Sequence, residues 1–215
     1  MIEEHHIILK NCLRISIFSS AFIGVFYFKK LKKSYWKWFS VYLIIIFIQE
    51  GFWAFNTNID REYRFTYYTL LGIPLQYLFF FWLYAFKSLK KKKIFLISSV
   101  SYLFILILAV LFKNIHEANA IGINIGTIIL IGLIILEFVK QVKTDNILKF
   151  KVNKMFYINI GVVLFYIGNY PYHVLGPELH KNYYDIWSIY RTYFLTTNCI
   201  MYLLFSASFI WGKTH

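Results

Sequence analysis

This chain has few cysteines, few prolines and few acidic residues, and such scarcities exclude some classes of protein. Its 215 residues include two cysteines and three prolines, and ten acidic side chains stand against twenty-three basic ones. Cys12 and Cys199 both fall inside long apolar runs, so they provide no disulfide framework of the kind that stabilises small secreted domains. The acidic N-terminus, from Met1 to His6, lacks the cationic start and the small-residue cleavage site of a signal peptide. We therefore expect the first apolar run to remain in the protein.

Enzymatic motifs are also missing from the sequence. It contains no His-Glu-x-x-His zinc motif, no Gly-x-Ser-x-Gly nucleophile turn and no Gly-x-x-x-x-Gly-Lys-Ser/Thr phosphate loop. Glu3, Glu4, His5 and His6 are metal-binding residue types, but their spacing on a helix is unsuitable and chance explains them better. The last apolar run has no lysine near its middle, which argues against a retinal Schiff base. The sequence thus predicts a protein that is not an enzyme and that carries no metal and no cofactor.

Apolar and aromatic side chains dominate what is present: 59% of the residues are hydrophobic, 22% are aromatic, and the mean hydropathy is +0.56. A soluble domain of this size has no core large enough to bury so much apolar surface, whereas lipid accommodates it. Seven apolar runs are long enough to span a bilayer, and in hydrocarbon each must be helical to pair its backbone amides. We predict an all-α, polytopic membrane protein, a single domain of seven transmembrane helices over residues 1–215. The predicted spans are 7–28, 39–56, 67–86, 94–112, 121–139, 155–175 and 186–211.

The lysines lie almost entirely on one side of these spans. Lysine runs fill the first, third and fifth connections, whereas the second, fourth and sixth hold only Arg61, Arg64, Lys113 and Lys181, among acidic residues. The positive-inside rule therefore predicts an external N-terminus and a cytoplasmic C-terminus. The excess of Lys, Ile, Phe, Tyr and Asn fits an AT-rich bacterial genome, so we expect a bacterial inner membrane. Topology and contacts with anionic lipid headgroups then account for the net charge of +13. No nucleic-acid partner is expected, because no folded basic surface accompanies the lysines.

Polar side chains inside the spans predict one ligand site. A charge at the bilayer centre costs about 2.5–3.5 kcal/mol on insertion scales, so such residues usually face a partner or a cavity. With the predicted orientation, several of them lie at comparable depth in the outer half of the membrane. We predict a polar cavity open to the periplasm, in which Glu50 pairs with Arg14 or Arg191 and the spare positive charge suits an anionic or carboxylate-bearing ligand. The candidate ligand-binding residues are Arg14, Glu50, Asn124, Asn169, His173, Arg191 and Asn198.

Several polar and small residues also have a purely structural interpretation. Buried ion pairs and interhelical hydrogen bonds hold helix bundles together without binding a ligand. Glu137, beside Lys140 at the cytoplasmic boundary, is interpreted as a simple ion pair. Gly122 and Gly126 have helix-packing spacing, which predicts a contact within the chain in preference to a dimer. Pro171 should free or bend the backbone of the sixth span.

Three stretches resemble a known group of proteins. Residues 71–80, running into 87–90, place a proline before an aromatic run and a lysine-rich loop. Together with 156–169 and 198–211, they resemble the third, sixth and seventh spans of small seven-helix membrane proteins and sensor regions common in Bacteroidota. In that group such regions often precede a histidine kinase or a helix-turn-helix domain, and neither occurs in these 215 residues. The resemblance implies an input module or accessory protein whose output comes from a separate partner, and it assigns no functional residue.

The leading hypothesis is a membrane sensor or accessory protein that binds a ligand on the periplasmic side and acts on a membrane or cytoplasmic signalling partner. A small-solute transporter is the alternative, although the Pro-Leu-Gln at 74–76 departs from the PQ motif of seven-span sugar transporters and no internal repeat is visible. An oligomeric pore or membrane effector of bacterial immunity is the third hypothesis. An intramembrane enzyme that uses Glu50, His173 and Arg191 for acid–base chemistry is the fourth.

Overall fold

The computed structural model describes residues 2–56, 58–144 and 147–213, and 88% of it is helical, with no β-strand among those residues. The helices are α1 Ile2–Leu31, α2 Lys37–Phe55, α3 Arg61–Ser88, α4 Lys92–Phe112, α5 Ile115–Lys143, α6 Lys154–Val162, α7 Tyr170–Asn182 and α8 Tyr184–Ile210. A 3₁₀ turn at Phe150–Val152 precedes α6, and a π-helical turn at Val163–Ile167 continues it. Two further π-helical segments, Tyr68–Gly72 and Trp82–Ser88, lie within α3.

Six helices in the described part of the chain are long and apolar enough to cross a membrane: α1 from Glu4 onward, α2, α3, α4, α5 and α8. Each of them overlaps one of the predicted spans, because length and hydropathy are local properties of the sequence. The prediction of a helical, multi-pass membrane protein is confirmed in this form. The count of seven crossings and the orientation stay predictions.

The predicted sixth span, 155–175, is interrupted. Helix α6 and its π-helical turn reach Ile167, a turn at Gly168 and Asn169 follows, and α7 then begins. Pro171 lies in the first turn of α7, where the missing N–H sacrifices no helical hydrogen bond. The expected disturbance of the backbone is therefore present. It takes the form of a break between two helices, just before the proline.

The helices group into two compact units. The first unit contains α1, α2, α6, α7 and α8, and the second contains α3, α4 and α5. The single domain over residues 1–215 stays a prediction.

The core of the first unit is built around Phe39 of α2, which is fully buried. The ring of Phe39 lies 5.1 Å from that of Phe205 and 5.5 Å from that of Phe209, both on α8. Helix α6 approaches α8 closely at Gly161, where an added Cβ would lie 3.3 Å from the backbone of Met201. Aromatic packing and a small residue thus bring α2 and α6 onto the same long helix, α8.

The second unit is packed around Tyr77 of α3. An added Cβ at Gly126 of α5 would lie 2.7 Å from the Tyr77 ring, and one at Gly122 would lie 3.0 Å from the Leu106 side chain of α4. The Tyr77 hydroxyl is hydrogen-bonded to Thr127 at 2.7 Å. The prediction that this glycine spacing serves packing within the chain is confirmed, because both glycines face helices of their own unit.

Candidate functional site

A cleft of about 600 Å³ opens between the N-terminal ends of α1 and α8. This volume lies in the range of small-molecule sites in proteins. Three of the lining residues are apolar and four are polar, and the polar ones include the histidine His5 and the aspartate Asp185. The lining residues are His5, Ile8, Leu9, Asp185, Ser188, Ile189 and Thr192.

His6 joins the two helices beside this cleft. Its side chain is 4% exposed, and its Nε2 lies 3.1 Å from the Thr192 Oγ1 and 3.4 Å from the carbonyl oxygen of Ser188. A carbonyl oxygen only accepts, so Nε2 is the donor in that contact. The His6 ring also packs edge-on against Trp187, with centroids 6.4 Å apart. One buried histidine therefore positions the first turns of α1 against α8.

An aromatic and cationic group surrounds Trp187 on α8. The Arg191 guanidinium lies over the Trp187 ring at 4.7 Å, a cation–π contact that holds the arginine one turn further along the same helix. His180 of α7 packs edge-on against Trp187 with centroids 4.5 Å apart, and Tyr184 lies 5.4 Å away. Arg191 is half-buried as a result. This aromatic and cationic group thus lies on a different face of α8 from the residues that line the cleft.

The structure brings part of the predicted site together on α7 and α8. The Asn169 side chain is buried, and its Nδ2 donates to the Thr197 Oγ1 at 2.8 Å and to the Phe165 carbonyl oxygen at 2.7 Å. His173 packs edge-on against Phe194 of α8, with centroids 5.6 Å apart. Asn198 and Arg191 lie on the same helix, α8. Four of the seven predicted residues therefore lie on α7, on α8 or in the turn that precedes α7.

The other three predicted residues lie elsewhere. Arg14 is exposed on α1, and its Nη1 donates to the Asn11 side chain at 3.4 Å. Glu50 is half-buried on α2, and Asn124 is half-buried on α5 in the second unit. Across the described residues, neither Arg14 nor Arg191 contacts Glu50, so the predicted ion pair is not found. Helical spacing orients a side chain on its own helix, but the neighbouring helix decides which partner it meets.

Sequence reasoning missed His6, His180 and Trp187. A signal for His6 was available: His6, Leu13, Ile17 and Ser20 recur at helical spacing, which extends the inward face of α1 back to the N-terminus. His5 and Asp185 are metal-binding residue types, but among the described residues no three His, Cys, Asp or Glu side chains are grouped as a metal site requires.

A second polar feature lies in the interior of the first unit. Asn159 of α6 is fully buried, and neither its Oδ1 nor its Nδ2 has a hydrogen-bond partner among the described residues. The Oδ1 atoms of Asn169 and Asn198 are also buried and have no hydrogen-bond partner among the described residues. Burying an unpartnered amide costs several kcal/mol, so such groups commonly mark a bound water or a polar ligand.

The other end of α8 is held by Lys154, the first residue of α6. Its side chain is 3% exposed; the Nζ donates to the Ser208 carbonyl oxygen at 3.2 Å and lies 5.9 Å from the Trp36 ring centroid. Burial lowers the pKa of Lys154 from 10.5 to about 8. The N–H of Lys213 donates to the Val152 carbonyl oxygen at 2.9 Å. The C-terminal end of α8 is therefore bound to the start of α6.

Comparison with known proteins returns no match: no protein-family model, no curated protein and no solved structure is similar to this chain at a significant level. The resemblance to seven-helix sensor regions of Bacteroidota stays a prediction.

Proposed function

We propose that this protein is a non-enzymatic membrane sensor or accessory protein. It takes a small ligand in the cleft between α1 and α8 and acts through a separate membrane or cytoplasmic partner. The charge distribution supports seven crossings of a bacterial inner membrane, with the cleft on the periplasmic side and the lysine-rich connections in the cytoplasm.

The observation that carries this proposal is that α8 reaches from the cleft at one end to the contact with α6 at the other. Ser188 and Thr192, in its first turns, line the cleft, and Ser208, in its last turn, accepts the hydrogen bond from Lys154. The 27 residues between Tyr184 and Ile210 correspond to about 40 Å of helix. A ligand that shifts α8 at one end must also disturb its contact with α6 at the other, because a helix moves as a stiff element.

The lining of the cleft supports an amphipathic ligand. Ile8, Leu9 and Ile189 offer apolar surface, whereas Ser188 and Thr192 offer hydroxyl groups. The sequence analysis predicts an anionic or carboxylate-bearing ligand. The described lining residues include no arginine or lysine, so that prediction rests on the sequence alone, whereas Asp185 in the lining favours a ligand that carries a donor group.

A covalent label in the cleft tests the proposal without knowledge of the natural ligand. Ile8 is exposed, so Ile8→Cys in a Cys12→Ser, Cys199→Ser background is reacted with a methanethiosulfonate reagent that carries a short apolar chain. Amide hydrogen exchange at residues 208–213 is measured in liposomes before and after labelling, and we expect it to change severalfold. The matched control is the same label at Ile107→Cys, an exposed position of α4. Exchange at 208–213 that responds to neither label, or equally to both, would overturn the proposal.

A small-solute transporter is the second candidate, and one observation favours it. The interruption between α6 and α7, together with the unpartnered amide of Asn159, resembles the discontinuous helices on which transporter sites are often built. The test is uptake of radiolabelled sugars, amino acids and organic acids by purified protein in liposomes. Uptake that Asn159→Leu abolishes, with retained folding, would favour transport; the absence of uptake for every solute would count against it.

A further inference from the structure

The exposed face of α1 carries a stripe of side chains that differs from an ordinary lipid-facing surface. Ile7, Asn11, Arg14 and Phe18 are all exposed, and their spacing of i, i+4, i+7 and i+11 places them on one face of the helix. We call these four residues the α1 stripe. Its two polar members contact each other, since Arg14 Nη1 donates to Asn11 Oδ1 at 3.4 Å.

The stripe lies inside a segment that is long and apolar enough to span the membrane, Glu4–Leu31. Arg14 is fifteen residues before Lys29, which corresponds to about 22 Å of helix, and the hydrocarbon layer is about 30 Å thick. With Lys29 at the inner boundary of the membrane, the backbone of Arg14 therefore lies within the hydrocarbon, in the half of α1 nearer the N-terminus. On insertion scales an arginine costs about 2.5–3.5 kcal/mol at the helix centre and less toward the boundary, and a partner of opposite charge offsets that cost.

A carboxylate on a neighbouring helix is the partner that fits this surface. Arginine donates to a carboxylate through two parallel hydrogen bonds, and the Asn11 amide beside it supplies a further donor. No carboxylate in the described part of the chain contacts Arg14. The i, i+4, i+7, i+11 spacing of the stripe is the pattern by which one helix docks along another.

We propose that the α1 stripe docks a transmembrane helix of a separate membrane protein, and that this helix carries an Asp or Glu at the depth of Arg14. The stripe is a different face of α1 from the one that lines the cleft, where Ile8 and Leu9 lie. The docking surface and the ligand cleft are thus physically separate. Each proposal is therefore tested without the other.

The test uses the full chain, labelled with a donor fluorophore, in liposomes of zwitterionic lipid. The probe is an acceptor-labelled transmembrane peptide of leucine and alanine that carries one Glu at the depth of Arg14, and the control peptide has Leu there. We expect energy transfer to show that the Glu peptide associates at least about tenfold more strongly, a difference of about 1.4 kcal/mol. Arg14→Leu should abolish the preference, and Arg14→Lys should keep part of it.

Reversing the charge at position 14 and on the peptide gives a more discriminating version of the same experiment. Arg14→Glu should reject the Glu peptide and accept one with Lys at that position, provided that circular dichroism and gel filtration show an intact fold. Equal association of the Leu and Glu peptides, or a preference that survives Arg14→Leu, would overturn the proposal. So would loss of the preference on adding anionic lipid, which would identify a lipid phosphate as the occupant, or arginine-dependent transfer between two labelled copies of the chain.

Discussion

The carboxylate of Glu137 accepts a hydrogen bond of 2.6 Å from the hydroxyl of Ser88, and this pair joins α5 to α3. Glu137 is 1% exposed. Gln141 donates to its second oxygen at 3.2 Å, and Lys140 Nζ lies 3.7 Å from the carboxylate while donating to the Ser88 hydroxyl at 2.8 Å. The ion pair with Lys140 that the sequence predicts is present, but it belongs to a network of four side chains in which Glu137, Ser88 and Gln141 are buried and Lys140 is partly exposed.

Glu137→Gln should destabilise the protein by about 1–3 kcal/mol, because it removes a buried charge-assisted acceptor and leaves Ser88 and Lys140 without it. The matched control is Glu117→Gln. Glu117 pairs with Lys113 at 3.4 Å, and both side chains are more than half exposed, so the loss there should be less than about 1 kcal/mol. Thermal unfolding in detergent micelles measures both. Equal losses would mean that the network contributes no more than a surface pair.

Gly126→Ala should destabilise the second unit by about 1–3 kcal/mol, because the new methyl group would lie 2.7 Å from the Tyr77 ring and would force the two helices apart. Gly132 is on the same helix, and an added Cβ there meets nothing within 4 Å. Gly132→Ala should therefore leave stability unchanged or raise it slightly. Chemical or thermal unfolding of the two variants compares them, and similar behaviour would contradict the close packing at Tyr77.

Lys90→Gly should stabilise the protein by about 1 kcal/mol. Lys90 lies two residues after the end of α3 and has a φ of 57°, a left-handed conformation that costs an L-residue with a side chain about 1–2 kcal/mol and costs glycine nothing. Lys93→Gly is the control, since Lys93 lies within α4 in helical conformation. That variant should lose about 0.5–1 kcal/mol. A Lys90→Gly variant that is less stable than the wild type would show that the lysine side chain itself matters.

The stability of the protein should depend on pH through Lys154. Its pKa is about 8 in the folded protein against an ordinary 10.5, so between these values the unfolded chain binds more protons than the folded one. The free energy of unfolding then rises with pH across this window, and below it the full cost of burying the ammonium is present. Between about pH 7 and pH 9.5, the melting temperature of the wild type should rise relative to that of Lys154→Met as the pH rises. Lys151→Met, at an exposed position, should instead keep a constant difference from the wild type.

Much of the fold was predictable because helix formation in lipid follows local hydropathy. The predicted spans 39–56 and 94–112 correspond to Lys37–Phe55 and Lys92–Phe112, within two residues at every end. The sixth span was predicted less well, since a proline signals that the backbone is disturbed but not whether the helix bends or breaks. The division into two units has no local signal, because it depends on which helices touch.

The cleft was not predicted, because none of the seven predicted ligand residues is among the described residues that line it. Asn169, His173 and Arg191 were predicted because they interrupt apolar runs, and the structure places them on α7, on α8 or in the turn before α7. His6 was missed because its burial depends on Thr192, a residue far away in the chain. The structure gives Arg14 a hydrogen bond to Asn11 and Arg191 a contact with Trp187, and the sequence could not predict these partners because a similar predicted depth does not imply contact.

By itself, the sequence determined the solvent of this protein, its helical backbone and the approximate ends of most helices, because an apolar run must pair its own amides in lipid whatever surrounds it. Only the tertiary structure decided that His6 meets Thr192, that Glu137 meets Ser88 and that Arg14 faces outward. The physical reason is that spacing sets which side chains share a face of one helix, whereas the rotation of each helix against its neighbours depends on the packing of the whole unit.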